Sequence, residues 1–587
     1  MVPLLRLFRF LKNSAGSLLI ALILLISSTA LGLLQPRLIE YAVDSGIRLQ
    51  QLSVVIRSAI GIILAAAAAA GLNLASGYHL IRSSQNMSYE MRNALYRKVM
   101  SFSFENLDHW RTGELMVRLN SDVDTMRAFV RMGGFTLVQS GMLITGAVIG
   151  MTLTDPGLAV IMAVFMPLVL VIFILVATYI RPLFMKSRAA LDELNNVLQE
   201  NLAGAKLVRA FARQSKELEK FSIRNRNLFN INRNVGYRIA LFFPLFFLLA
   251  QLATLIVIWS GGSALLNTAA EKASSVLTLG KLIAFNNYAS MAMFPLLMLG
   301  MMLNFISMAM ASAVRIDALF REMPAVSENP GARSLTSLKG KIEFRGVSFR
   351  YGRGEPALSD INLVIHPGEK LGIIGATGSG KSSLANLIPR FYDPEAGEVL
   401  IDDINVRNLS FDALRTRVAM VLQETVLFRG TLRENIAFGA PDADDETLRQ
   451  AAAIACASGF IKNKPDDWNT IVGERGAGLS GGQRQRIAIA RAIAARPDII
   501  ILDDVASSLD AETETNVVRA LYGEFHDRTT VIISQKISSI RAADRIVVME
   551  SGRVEAVGSH EELLQSSGTY RTIFETQTGA SINNEQR

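Results

Sequence analysis

The sequence predicts a membrane α-helical bundle of six transmembrane helices with long cytoplasmic extensions, fused to a C-terminal α/β domain built around a phosphate-binding loop. Three observations carry this expectation. Six stretches in the first 320 residues contain no Asp, Glu, Lys or Arg. Beyond residue 340, short apolar runs alternate with helical patterns. One of those runs ends in a glycine-rich loop of fixed spacing.

Composition agrees. Of 587 residues, 50% are hydrophobic and only 19% charged, against about 25% charged in ordinary soluble chains. Intrinsic disorder, a fibrous repeat and an ordinary cytosolic enzyme are thereby excluded. A single cysteine, Cys456, excludes an intramolecular disulfide framework and a cysteine metal site, and reads as a small buried apolar residue.

The charge-free stretches are 13–36, 58–81, 133–154, 157–180, 239–270 and 282–314. Each is 22 to 33 residues long, and a helix needs about 20 apolar residues to cross a bilayer. The first follows Arg6, Arg9 and Lys12 like a secretory leader, but its length and the five later spans make it a membrane helix. With an even number of spans both termini share a side. The segments on that side hold 23 Lys and Arg, those opposite hold 5, so both termini are expected in the cytoplasm of a cell (inner) membrane protein. The net charge of +8 therefore sits beside the spans, which suits an anionic bilayer surface and not a nucleic acid.

Two inner segments are too patterned for loops. In 191–221, Leu191, Leu194, Leu198, Leu202, Ala205, Val208 and Phe211 recur every three or four residues, the signature of an amphipathic helix. Residues 82–132 alternate similarly around Met91, Leu95 and Val99. Both membrane helix pairs should continue well into the cytoplasm. The expected organisation is a membrane domain at 1–320, a Pro-, Gly- and Ser-containing linker at 321–340, an α/β domain at 341–577 and a tail at 578–587.

In that domain the runs Ile342–Phe349, Lys370–Ile374, Ile499–Leu502 and Thr529–Ile533 read as strands. The second leads into Gly375, Ala376, Thr377, Gly378, Ser379, Gly380, Lys381, Ser382 and Ser383, which matches G-x-x-x-x-G-K-[ST] between strand and helix. Backbone N–H groups of such a loop surround phosphate oxygens. Lys381 should reach the β- and γ-phosphates of ATP, and the Ser382 hydroxyl should ligate Mg²⁺. Asp503 and Asp504 follow the buried run 499–502, and Asp503 fits a Mg²⁺-coordinating acid at a strand's carboxyl end.

Further motifs carry a resemblance. Leu479, Ser480, Gly481, Gly482 and Gln483, followed by Arg484-Gln485-Arg486, resemble the signature of ABC ATPases, and Gln483 precedes Asp503 by 20 residues. Tyr351 is similar to that family's adenine-stacking aromatic, Gln423 to its Q-loop glutamine, Ser507-Ser508-Leu509-Asp510 to its D-loop, and Gly473-Glu474-Arg475-Gly476 to the X-loop of exporters. Six spans fused ahead of the ATPase domain resemble the exporter branch. The resemblance implies ATP and Mg²⁺ as cofactors and Gln423 as both metal ligand and catalytic residue. It also implies a head-to-tail dimer in which Leu479–Gln483 of one subunit, with Ser508 and Asp510 beside it, faces the nucleotide held by the other.

Two positions depart from that pattern. The general base after the metal-binding Asp is normally Glu; here it is Asp504, one methylene shorter. The switch residue that contacts the γ-phosphate is normally His; here it is Gln535, which donates a hydrogen bond but carries no charge. The pair resembles the degenerate subunit of heterodimeric bacterial multidrug exporters. It implies a partner half-transporter with the usual Glu and His, and an amphiphilic drug or lipid as substrate. An ATP-gated regulatory or channel-like protein and a homodimeric lipid flippase are the alternatives. No Asp, Glu, Lys or Arg lies within any predicted span, and the last span is rich in Met, from Met291 to Met310, which suits adaptable apolar binding.

Overall fold

The computed structural model describes residues 2–271, 277–505 and 509–579. The chain forms two compact units: Met1–Met100 with Gly113–Glu322, and Ser101–Thr112 with Met323–Arg587.

The first unit is helical. Its long members are Ala15–Tyr41, Leu52–Met100, Phe135–Thr154, Pro156–Ala203, Gln214–Glu271 and Leu279–Arg321. They pair in three sets: the first with the second, the third with the sixth, and the fourth with the fifth. Among the described residues, five helices are long and apolar enough to cross a membrane: Pro3–Ile47, Leu52–Met100, Thr112–Thr154, Pro156–Ala203 and Gln214–Leu266. The sixth expected span, 282–314, lies in the helix Leu279–Arg321, where several side chains fall outside the description. The count of six is therefore not established.

Helix length follows the charge pattern. The 49 residues of Leu52–Met100 extend about 74 Å at 1.5 Å each, more than twice the hydrocarbon thickness. Small hydroxyl residues join the first pair: Ser76 Oγ donates to the Ala21 carbonyl at 2.6 Å and Ser28 Oγ to that of Ala69 at 2.9 Å. Such bonds let membrane helices approach closely where water offers no alternative. Met162, Val169, Phe173, Val257, Phe285 and Ala292 pack into the main apolar cluster. Asp122, almost fully buried, accepts from Ser312 Oγ at 2.8 Å and Arg315 Nε at 2.9 Å.

The two inner stripes differ. Met91, Leu95 and Val99 are buried as expected, but Leu198, Leu202 and Phe211 are exposed, Leu202 at 70% and Phe211 at 69%. The stripe is helical in pieces and not one helix: Pro156–Ala203 ends at Gly204, Ala205–Ala210 follows, and Phe211 stands in the turn before Gln214–Glu271. Leu198, Leu202 and Phe211 stay uncovered within their own unit.

The second unit holds two sheets. A four-stranded antiparallel sheet runs Pro356–Ile365, Ile342–Arg350, Ala396–Ile401, Ile404–Asn405. A six-stranded sheet runs Arg553–Gly558, Arg545–Glu550, Lys370–Gly375, Thr529–Ile533, Ile499–Asp503, Val418–Val421. Its pairs are parallel except for the first, an antiparallel edge. Ile499 and Ile501 enter one core while Ile500 and Leu502 enter the other. Both sheet faces are thus covered, which is why the run is apolar throughout instead of alternating. Cys456 is half-buried and not enclosed, with φ +52°.

Candidate nucleotide site

The parallel sheet brings the site together. Ile533 is in register with both Asp503 and Ile373, so three neighbouring strands end at one level. Past their carboxyl ends come the phosphate loop, the Asp503–Asp504 pair and the Ser534–Lys536 turn. Open α/β sheets bind ligands at that edge.

Glycine is required in the loop. Gly380 has φ +97°, and a Cβ there would lie 2.6 Å from the Ala357 carbonyl oxygen. It caps the helix Lys381–Leu387. Lys381 is buried and its Nζ donates to the carbonyls of Gly375 and Ala376 at 2.9 and 2.8 Å. Burial lowers its pKa, and Asp504 and Asp503 oppose that. The loop thus folds around its own ammonium, which is free to turn toward a phosphate.

Ser382 Oγ donates to Asp503 Oδ1 at 2.9 Å. Burial pushes the Asp503 carboxyl above its usual range. A hydroxyl beside one carboxylate is a hard oxygen pair that fits Mg²⁺. Among the described residues, no group of three or more His, Cys, Asp or Glu could hold a metal.

Asp504 is the centre of the catalytic cluster. Its φ is +47°, an uncommon conformation for a non-glycine residue. Its N–H donates to the Ile533 carbonyl at 2.9 Å, which anchors it to the neighbouring strand. One carboxylate oxygen, Oδ2, accepts from Gln423 Nε2 and Gln535 Nε2, each at 3.4 Å. Both contacts are long. Burial raises the Asp504 pKa, with Lys381 and the Gln535 backbone opposing. The two residues that depart from the pattern therefore touch each other.

Tyr351 is 40% exposed, with its ring edge-on to Phe349 and Tyr392 at centroid distances of 4.7 and 5.2 Å. A planar base can stack on it. Ser480 caps the helix Gly481–Ala494, and the Ser480 N–H donates back to the Gln483 side-chain Oε1 at 3.1 Å. Gln483 is thus used in its own turn, while the helix terminus offers N–H groups and a positive potential to an anion. Asp510 caps the helix Ala511–Glu524 by accepting from the Thr513 N–H and hydroxyl, which lower its pKa. Ser508 lies outside the described residues. Arg475 lies in a short turn at φ +54°.

Comparison with known proteins agrees with this geometry. The family models described as ABC transporter transmembrane region and ABC transporter match residues 18–296 and 358–507. An uncharacterized ABC transporter ATP-binding protein of Bacillus subtilis, YfiB, is 34% identical over 95% of this chain and 96% of its own. The chain belongs to the ABC transporter family. The ATP-dependent lipid A-core flippase of Desulfotalea psychrophila is 36% identical to this transporter, over 85% of this chain and 86% of its own. A bacterial Atm1-family ABC exporter solved with ATP bound superposes with a TM-score of 0.80 at 25% identity, covering 97% of this chain and all of that one. The transporter is a fused exporter: a helical transmembrane domain and an ATPase domain whose hydrolysis is coupled to transport.

The exporter resemblance implies short helices near Ser103–Asp108 and Ala203–Arg213 that transmit closure of the ATPase domains, and helices stand at Phe104–His109 and Ala205–Ala210. What sequence reasoning missed is the set of contacts the first one makes. The segment Ser101–Thr112 belongs by packing to the ATPase unit of the transporter. Its helix Phe104–His109 stacks Phe104 on Phe391 at 4.1 Å, and Asp108 accepts from Tyr392 Oη at 2.7 Å. Tyr392 is the ring that supports Tyr351. The resemblance places a helix here, but nothing local marks Phe104 or Asp108 as contacts of residues nearly 290 positions later.

Proposed function

We propose that this chain is one subunit of a heterodimeric ATP-driven exporter that moves amphiphilic compounds, drugs or lipids, out of the cytoplasm or inner leaflet. Its own ATP site hydrolyses slowly, and its signature helix completes the competent site of a partner half-transporter. The observation that carries this reading is the meeting of Asp504, Gln535 and Gln423 on one carboxylate oxygen.

The chemistry follows from reach and charge. Gly375–Ser383 hold the phosphates of ATP and Tyr351 its base. Ser382, Asp503 and Gln423 would hold Mg²⁺, whose charge would offset that of the phosphates. Asp504 orients and deprotonates water, but its side chain is one methylene short. Gln535 faces the γ-phosphate without positive charge. A base displaced by about an ångström loses on the order of 10²-fold, and an uncharged switch stabilises developing phosphate charge less. Binding elements are retained while both hydrolytic elements are weakened.

Dimerisation is supported by the uncovered stripe Leu198, Leu202 and Phe211 and by the exposed N-terminus of the signature helix. Such apolar faces call for a partner. A cell-membrane location with both termini and the ATPase domain in the cytoplasm accords with the excess of Lys and Arg on that side. Lipid or amphiphile transport is favoured by relatives named lipid A-core flippase and by predicted spans free of Asp, Glu, Lys and Arg. Those flippase names also suit the alternative of a lipid flippase.

The test is ATP turnover in nanodiscs, first of this chain alone and then with the product of the adjacent gene. Negligible turnover alone and robust turnover together support the asymmetric exporter. Robust turnover alone refutes it in favour of a homodimer.

A further inference from the structure

The turn Ser534–Ser539 is held from two directions, and one of them lies at the far end of the chain. The Ser534 N–H donates to the Ile373 carbonyl at 3.1 Å, which fixes the start of the turn to the strand that precedes the phosphate loop. Beneath it sits Glu514, 2% exposed, on the helix Ala511–Glu524. Its carboxylate accepts from Lys536 Nζ at 3.1 Å and from the hydroxyls of Ser538 and Ser539. A buried carboxylate needs such partners to offset its desolvation. Ser534 Oγ accepts from the Lys536 N–H at 3.0 Å and lies 3.1 Å from Ser539 Oγ.

Two backbone groups around the switch residue, the Gln535 carbonyl and the Ile537 N–H, are reached from outside the turn. One side chain takes both. Gln577 Nε2 donates to the Gln535 carbonyl at 2.6 Å, and Gln577 Oε1 accepts from the Ile537 N–H at 2.9 Å. An amide has a donor and an acceptor side by side, so it can bracket the residue between them. The Gln535 backbone N–H and side-chain amide both face Asp504. The carbonyl of Gln535 is therefore held by Gln577 while its other groups hold the base.

We infer that Gln577, one residue from the end of the C-terminal helix Gly568–Thr578, is a positioning residue for hydrolysis: it sets where Gln535 stands relative to Asp504 and the γ-phosphate. This rests on reading Gln535 as the switch residue. Gln577 acts through the backbone on either side of Gln535. The last helical turn of the chain is thus part of the hydrolytic geometry of the site.

The test combines hydrogen exchange with kinetics on the full chain in nanodiscs. Gln577→Ala removes both prongs. It should speed exchange of the Ile537 amide on the order of 10-fold, the equivalent of one net hydrogen bond, and leave phosphate-loop peptides and the melting temperature unchanged. Gln577→Glu keeps the acceptor for Ile537 but loses the donor to Gln535, so Ile537 should stay protected. Kinetics are read in the wild type and in Asp504→Glu/Gln535→His. Whichever turns over faster should lose about 10-fold in kcat with either Gln577 variant, at unchanged KM for ATP. Unchanged exchange in Gln577→Ala, or an unchanged kcat, overturns the inference. Failure of Asp504→Glu/Gln535→His to exceed the wild type refutes the slow-site reading instead, and leaves the Gln577 comparison readable in the wild type.

Discussion

Asp504→Glu is the substitution that weighs most on the slow-site reading. In the structure the Asp504 carboxylate is anchored through its backbone to Ile533, and its Oδ2 makes only long contacts to Gln423 and Gln535, both 3.4 Å. One more methylene advances the carboxylate by about 1.5 Å, one carbon–carbon bond. That is more than the roughly one ångström of misplacement that costs on the order of 10²-fold, and a well-placed base contributes about 10²–10⁴-fold. Turnover of this chain's own site should therefore rise about 10- to 100-fold in Asp504→Glu, and further in Asp504→Glu/Gln535→His, because a cationic switch opposes phosphate charge. Asp504→Asn should fall to the background of the Lys381→Ala variant. The assay is phosphate release at saturating ATP by this chain in nanodiscs. If Asp504→Glu and Asp504→Asn both match the wild type, the carboxylate at 504 is not the base and the reasoning fails.

Three further outcomes are expected. Burial raises the Asp503 and Asp504 pKa values, so the stability these groups contribute is fully present at low pH and is lost as pH rises through their folded-state pKa values. Asp503→Asn should therefore raise the melting temperature of the nucleotide-free protein at neutral pH and flatten its decline with pH. The same variant should abolish the extra stabilisation by ATP with Mg²⁺, and differential scanning calorimetry reads both. Substituting Gly482→Asp places an acid at the N-terminus of the signature helix, where it repels phosphate. It should cut turnover of the two-subunit complex by on the order of 10²-fold, while photolabelling of this chain by an azido-ATP is unchanged. Phe104→Ala removes the ring stacked on Phe391, a contact worth about 0.5–1.5 kcal/mol beyond its area. ATP turnover should persist while flipping of a fluorescent phospholipid in proteoliposomes drops severalfold, and equal loss of both would refute a coupling role for Phe104.

Much of this protein is legible without coordinates. The charge-free stretches announce spans because a charged side chain in hydrocarbon is too costly to leave unpaired. The run Ile499–Leu502 announces a doubly covered strand because its alternate residues enter two different cores. The phosphate loop is legible because its chemistry is local: Gly380 must tolerate φ +97° and Lys381 must follow it at once. The departures at Asp504 and Gln535 are equally visible, since each stands at a fixed offset from a motif.

What sequence could not reveal is what touches what. Residues 504, 423 and 535 meet only because parallel strands in a set order end at one level. Asp108 reaches Tyr392 across 284 positions, and Gln577 reaches Gln535 across 42. An isolated Asp or Gln carries no periodic signal, so its partner is decided by topology. The apolar stripe ending in Phe211 teaches the converse. Its period announces helix, but it does not reveal the break at Gly204 or the turn at Phe211, nor what will cover Leu202 and Phe211, and within their own unit nothing does. Local chemistry and periodicity are properties of short segments, and the sequence by itself determines them here. Convergence on Asp504, the clamp at Gln577 and the uncovered stripe depend on where distant segments meet, which only the tertiary structure decides.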